Sequence, residues 1–273
     1  MKKYFVVTDI HSFYTEMMRA LEEKGFDVNN PNHFFISLGD LLDRGPDPIK
    51  CLEFVNNLPK NRKVLIRGNH EDLMEDALER GEFWAHDIHN GTDVTCLEIA
   101  STMMEGNPSN FSDEEICSLV KKNKLWNQYI NSCVDYYELD KYVFVHGWIP
   151  ARSAKMTWDY PVYTEKWREG NWKRARWING MDYWDKGIKI PDKTIYCGHY
   201  HCSWGNAYLH DDGKEFIEKI ETMYIDPHTG KLEPHVNWEP FKDEGIVAMD
   251  ACTAVSGKVN CEVIEIDSDL CKY

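Results

Sequence analysis

Lys3-Tyr4-Phe5-Val6-Val7-Thr8-Asp9-Ile10-His11-Ser12 is the stretch that sets the fold. A β-branched and aromatic run ends in a polar turn, and helical spacing follows through Phe13, Met17, Ala20 and Leu21 until Gly25 closes it. The reading is strand, loop, helix. The same unit recurs with His33 to Leu38 as strand, Gly39 to Pro46 as loop, and Asp47-Pro48 opening a helix through Ile49, Leu52, Val55 and Leu58. It recurs again from Val64-Leu65-Ile66 through Gly68-Asn69-His70-Glu71 into a helix carrying Leu73 and Leu78. Three such units predict an α/β sheet that begins with parallel pairing, with a polar cluster after each strand. Open α/β sheets gather ligands at those carboxyl ends.

Further along, residues 81–138 read as a helical insertion, with Ser112 expected to cap one of its helices. Tyr142 to Val145 returns to a strand ending at His146, and Thr194 to Cys197 leads into Gly198-His199-Tyr200-His201. Between them, residues 148–190 are dense in rings and read as a lid or substrate loop, or equally as a second small core. Ile246 to Met249 and Val259 to Ile266 are expected to be antiparallel strands of a second sheet. The whole, 1–273, is read as a single domain.

At 273 residues, with 42% hydrophobic and 28% charged residues, the chain can bury a sizeable core and leaves little room for extended disorder. A formal net charge of −15 argues against nucleic acid as a general partner, since phosphate backbones are bound by clustered Lys and Arg. The apolar run at the N-terminus ends at Asp9, too early for a signal peptide, and no apolar stretch suits a membrane span. Nine cysteines without a Cys-x-x-Cys pair suggest neither a disulfide framework nor a zinc ribbon, so a reducing cytoplasm is the expected home.

The polar clusters share one chemistry. Mn, Fe and Zn accept carboxylate oxygen, amide oxygen and imidazole nitrogen together. Asp9 and His11, alternate residues leaving a strand, can grip one ion, and Asp40 is placed to bridge two. Asn69 offers a neutral oxygen, and His146, His199 and His201 offer nitrogens.

Gly39-Asp40-Leu41-Leu42-Asp43-Arg44-Gly45 and Arg67-Gly68-Asn69-His70-Glu71 resemble the two hallmark motifs of the calcineurin-like metallophosphoesterases, near the phosphoprotein phosphatases and bis(5′-nucleosyl)-tetraphosphatases. The resemblance runs from Asp9 to the Asp250 region. It implies a two-sheet sandwich flanked by helices with a dinuclear centre at one edge. Asp9, His11 and Asp40 would hold the first metal, with His201 completing it, and Asp40, Asn69, His146 and His199 the second. The same resemblance makes Arg44 and Arg67 phosphate clamps, and His70 the donor of a proton to the leaving oxygen with Asp43 orienting it. Arg174 and Arg176 are either further phosphate contacts or ordinary surface charges. Two departures from the family pattern carry expectations: Ser12 replaces a glycine and is expected to cap the following helix, and Trp148 is expected to narrow access to the centre.

The implied activity is hydrolysis of phosphate esters or anhydrides by a water activated between two divalent cations, Mn foremost and Fe or Zn as alternatives. A serine/threonine protein phosphatase-like enzyme is the first substrate reading and a bis(5′-nucleosyl)-tetraphosphatase the second. A reading of another class is a catalytically silent metal-binding scaffold, which predicts loss of His70, Asp43 or the arginines; all are present.

Overall fold

The computed structural model describes residues 1–104, 110–153, 161–213 and 236–267. Strands β1 (Lys2–Val7), β2 (His33–Ser37), β3 (Lys63–Ile66) and β4 (Cys133–Val134) pair in parallel, in that order. The edge of this sheet beyond β1 is an antiparallel strand from the far end of the chain, Cys261–Ile266. A second sheet contains β5 (Tyr137–Leu139), β6 (Tyr142–Phe144), β9 (Thr194–Cys197), β10 (Phe241–Asp243) and β11 (Ile246–Ala248), in the order β10-β11-β9-β6-β5. Within it β6, β9 and β11 run parallel. A small hairpin, β7 (Arg152–Ser153) with β8 (Pro161–Val162), stands apart.

The two sheets face each other across one core and present their outer faces to helices. Because successive side chains of a strand point to opposite faces, β1 divides cleanly. Phe5 and Val7 join a cluster with Met17, Leu52, Val55 and Ile99 from the helices. Tyr4 and Val6 meet Phe144, Tyr196 and Val247 of the second sheet. Burial on both faces is what parallel strands require, and their near-continuous apolar runs follow from it. Outside the first sheet lie α1 (Tyr14–Glu23), α2 (Pro48–Asn57), α3 (Asn69–Arg80), α4 (Ala85–Asn90), α5 (Thr92–Ser101), α6 (Asp113–Lys122) and α7 (Lys124–Ile130). The second sheet is covered by α8 (Trp172–Ala175), α9 (Gly180–Asp185) and α10 (Cys202–Tyr208), and a last short helix, α11, is Thr253–Ser256. None of the described helices is long and apolar enough to cross a membrane.

Two expectations about elements need correction. Cys261–Ile266 belongs to the first sheet, not the second, since its partner is β1. Ser12 does not cap α1: its hydroxyl is buried without a hydrogen-bond partner, and Phe13 holds the cap position with no side-chain bond. Ser112 does cap α6, accepting from the Glu115 amide.

At the rim of the second sheet, Arg168 donates to both oxygens of Glu138, at 2.6 and 2.8 Å, and Lys193 donates at 2.6 Å. These hydrogen bonds, that of Arg168 first, hold the Glu138 carboxyl down at about 2. A carboxylate depressed by folding contributes stability above its unfolded pKa and loses it as pH falls from there toward about 2. Acidification from pH 6 to pH 3 should therefore lower the melting temperature of the wild type more than that of Glu138→Gln. Equal losses in a melting series would remove Glu138 from the acid response.

Candidate metal centre

Six parallel strands end at the same rim of the sandwich, and a polar residue stands two or three positions beyond each. Asp9 follows β1, Asp40 follows β2, Asn69 follows β3, His146 follows β6, His199 follows β9 and Asp250 follows β11. Backbone hydrogen bonds lace the first two loops together: Asp9 N to Gly39 O at 3.2 Å, His11 N to Asp40 O at 3.0 Å, and Ser12 N to Leu41 O at 2.8 Å. The turns are sharp enough to force positive φ on Asp9, His11, Asp40, Asp43, Arg44 and His199. Such backbone costs about 1–3 kcal/mol per residue and persists only where the surroundings over-determine it, typically at functional sites. Gly39, at φ 105°, lies where an added Cβ would come within 2.7 Å of Gly68 Cα and 2.8 Å of His146 Nδ1, so the two hallmark loops touch backbone to backbone.

The result is a cavity of about 280 Å³. Of the residues expected at the site, Asp9, His11, Asp40, Arg44, Asn69, His70, His199 and His201 line it. His146 lies directly behind, 1% exposed, with Nε2 3.4 Å from Asp40 Oδ1. Donor atoms fall into two compact groups that share Asp40: His11, Asp40 and His70 in one, Asp40, His146 and His199 in the other. Asp9 enters neither group, but its Oδ1 is 4.0 Å from His11 Nε2. Its Oδ2 accepts from Thr8 Oγ1 at 2.6 Å and the His199 amide at 3.0 Å.

Backbone carbonyls aim the imidazoles. Nδ1 of His11 lies 3.1 Å from Leu42 O and Nδ1 of His146 lies 2.8 Å from Leu38 O, so each ring nitrogen donates outward and Nε2 faces the cavity. His146 Nε2 is also 2.8 Å from Asn69 Oδ1. Burial alone would lower the His146 pKa, yet Asp40, then Asp9 and Glu71, raise it to about 10. The Asp40 carboxylate that favours this proton is placed to favour a cation instead. Burial, helped by His146, drives His199 down to about 3, which leaves a neutral nitrogen ready to ligate. Burial lifts Asp9 to about 6 and Asp250, with the help of Asp9, to about 7. Crowded carboxylates of this kind are relieved by divalent cations, and the mixed oxygen and nitrogen donors suit Mn, Fe or Zn.

His70, a member of the first group, has its Nδ1 2.7 Å from Asp43 Oδ2 and its Nε2 3.9 Å from Asp40 Oδ2. Burial works to discharge the ring, but Asp40 and the Asp43 hydrogen bond raise its pKa above the ordinary histidine value. The His70 amide, in the first turn of α3, donates to Asp40 Oδ1 at 3.0 Å.

Four residues expected at or near the site sit elsewhere. Arg67 does not reach the cavity; its guanidinium is held by Asp72 at 2.7 Å and by Glu75, and it lines a separate depression with Lys173 and Arg176. Arg176 is neither a phosphate contact nor a surface charge: it is 6% exposed and bonds Asp72, Asp135 and the Arg67 carbonyl. Arg174 is exposed and outside the cavity lining. Trp148 does not narrow the site either, being fully buried with its indole N–H on Ile188 O at 2.9 Å. Trp167, Trp172 and Trp184 share that core, as the reading of this segment as a second small core expects for these rings; Trp158 and Tyr160 lie outside the described residues. Trp177, 49% exposed, is the described ring of this segment that does line the cavity, edge-on to His199 at 5.7 Å.

His201 lines the cavity but joins neither donor group, and its Nδ1 is 3.0 Å from Ser203 Oγ. Sequence reasoning passed over Asp250 and Glu71. Asp250 sits two residues past a strand exactly as Asp9 does, so strand-end position was its available signal. Glu71 accepts from the Gly68, Asp40 and Leu41 amides and the Tyr129 hydroxyl; its place three residues after Gly68 announces the first of these bonds, and no local pattern announces the others.

The calcineurin-like phosphoesterase family model matches residues 2–216. A serine/threonine-protein phosphatase 1 of Salmonella typhimurium is 40% identical over 73 residues, 27% of this chain and 32% of that protein. A symmetrical bis(5′-nucleosyl)-tetraphosphatase of Buchnera aphidicola subsp. Schizaphis graminum is 26% identical over 206 residues, 72% of this chain and 64% of that one. This chain thus spans less than two thirds of either relative's length. The crystal structure of a cold-active protein-tyrosine phosphatase from a Shewanella species aligns with a TM-score of 0.52 at 14% identity, covering 97% of this chain and 76% of that one. At that identity the likeness is one of fold.

Proposed function

The chain belongs to the calcineurin-like phosphoesterases, and from that premise we propose that it hydrolyses phosphate esters or anhydrides with two divalent cations. The observation that carries this reading is Asp40, whose carboxylate belongs to both donor groups. Asp9 and His11 would hold the first cation with Asp40, and Asn69, His146 and His199 the second; His201 is assigned beside the first. Two cations held there would supply Lewis acidity, lowering the pKa of bound water and offsetting phosphoryl charge. The chain's own residues do the rest. Arg44, on the cavity wall, offers a guanidinium fork to the phosphoryl oxygens. His70 Nε2 faces the cavity, where it can give a proton to the departing oxygen while Asp43 holds the opposite nitrogen. Mn is the cation of first choice, and a cytoplasmic setting is proposed from nine scattered cysteines without a Cys-x-x-Cys pair.

A serine/threonine protein phosphatase-like activity is the first substrate reading. The half-exposed Trp177 ring supports the second, a dinucleoside polyphosphate, because a base can stack on it at the cavity mouth. Protein purified with Mn should bind two ions per chain and turn over p-nitrophenyl phosphate. Phosphopeptide and diadenosine tetraphosphate, compared side by side, choose the substrate. Chelation should abolish turnover and Mn restore it, with Asn69→Ala and His70→Ala as controls. Silence on all three substrates, or fewer than two ions at saturation, would defeat the reading.

A further inference from the structure

The turn between α4 and α5 reaches into the site from the helical segment. Asn90 lines the cavity, Gly91 lies against the backbone of Arg44, and Thr92 is fully buried behind Asp43. At Gly91, with φ 78°, an added Cβ would stand 3.0 Å from Arg44 N, so the contact is close enough to seat one turn on the other. Thr92 Oγ1 donates to Asp43 Oδ2 at 2.7 Å, the same oxygen that takes the His70 Nδ1 hydrogen bond at 2.7 Å. The second oxygen of this carboxylate, Oδ1, is buried and has no hydrogen-bond partner.

An aspartate held by one bond can rock its carboxylate about the broad Cβ–Cγ torsion and swing its acceptor lone pair off line. Asp43 has two donors converging on Oδ2 and none on Oδ1, so the Thr92 hydroxyl is the second point that holds the carboxylate at the tilt that meets His70 Nδ1. A carboxylate only accepts, which fixes the direction of the bond as well. We propose that Thr92 is a positioning residue for proton delivery: through Asp43 Oδ2 it fixes the orientation of the His70 ring whose Nε2 faces the leaving group. The inference rests on the phosphoesterase reading. In the step concerned, water oxygen bonds to phosphorus as the bond from phosphorus to the leaving oxygen breaks. The leaving oxygen takes the His70 proton, and the proton shed by the water restores His70.

Leaving groups separate this role from mere docking of α5. Dinitrophenolate departs as a stable anion and needs little help from an acid, whereas phenolate needs a proton in the transition state. Thr92→Val removes the hydroxyl at nearly constant volume. It should lower kcat for phenyl phosphate by about tenfold or more and kcat for 2,4-dinitrophenyl phosphate by under about threefold, a fraction of the full effect of a general acid. Thr92→Ser, which keeps the hydroxyl, should restore phenyl phosphate turnover to near wild type. Thr92→Ala repeats the comparison should valine reduce the folded yield. Equal losses on both substrates, or failure of serine to rescue, would overturn the inference and leave the phosphoesterase reading standing. A Mn-loaded wild type inactive on both substrates would overturn that reading, and the inference with it.

Discussion

Asp40→Asn is expected to reduce bound Mn from two ions per chain to one or fewer and to lower kcat by about a thousandfold, the equivalent of about 4 kcal/mol of transition-state stabilisation. Asparagine keeps the shape of aspartate but has one oxygen where Asp40 has two. Those two oxygens face different partners: Oδ1 lies 3.4 Å from His146 Nε2, and Oδ2 lies 3.8 Å from His11 Nε2. A single amide oxygen can serve only one side, and the amide nitrogen would turn a donor toward the other. The substitution also removes a negative charge. Burial opposes that charge, but His146, His70 and His11 together hold the Asp40 carboxyl well below the usual carboxylate range. The site is thus built to keep Asp40 ionised. Elemental analysis of the purified variant beside the wild type, together with turnover of p-nitrophenyl phosphate, checks both halves. Two retained ions with near-normal kcat would refute a shared role for Asp40.

Why some of this was legible in sequence and some was not has a physical answer. The alternation and β-branched content of Lys3 to Val7 or Thr194 to Cys197 are local, so strands and the polar residues just past them can be read directly. Pairing between residues far apart in sequence is not local. Nothing in Cys261–Ile266 says that its partner is β1, at the other end of the chain. Side-chain direction after a strand is also hidden. Asp9 and Asp40 turn into the site because their φ angles are positive. Arg67 instead prolongs the strand, its amide bonded to Val134 O, and so keeps the pleat. Ile66 points between the sheets, so Arg67 points the other way, onto α3, where Asp72 and Glu75 meet it. The motif drew Arg67 toward the phosphate; the strand phase sends it away. Trp148 errs for a similar reason: two residues past His146, it packs into the core outside the second sheet.

Glu71→Ala should be the costliest change to the fold among the residues around the site. Its side chain is 2% exposed and sits in the first turn of α3, where it accepts from Gly68 N at 2.7 Å and Asp40 N at 3.1 Å on one oxygen. The other oxygen accepts from Leu41 N at 3.1 Å and Tyr129 Oη at 2.6 Å. Alanine leaves three backbone amides and a phenol without an acceptor. At about 1–3 kcal/mol for each buried donor left unpaired, the loss is on the order of 5 kcal/mol, comparable to a large share of a domain's stability. A fall of about 10 °C or more in melting temperature follows for a chain of this size. Glutamine is not a silent substitute, since its amide presents hydrogens to at least two of the four donors, and an intermediate loss is expected. Melting in the presence of a chelator isolates the effect from any contribution of bound metal. A shift of under about 2 °C there would mean that water replaces the carboxylate at little cost. The same hydrogen bonds explain why the two hallmark loops form one site: Glu71, from the second, fixes the Asp40 amide of the first, so the stability of the fold and the placement of Asp40 depend on one buried side chain.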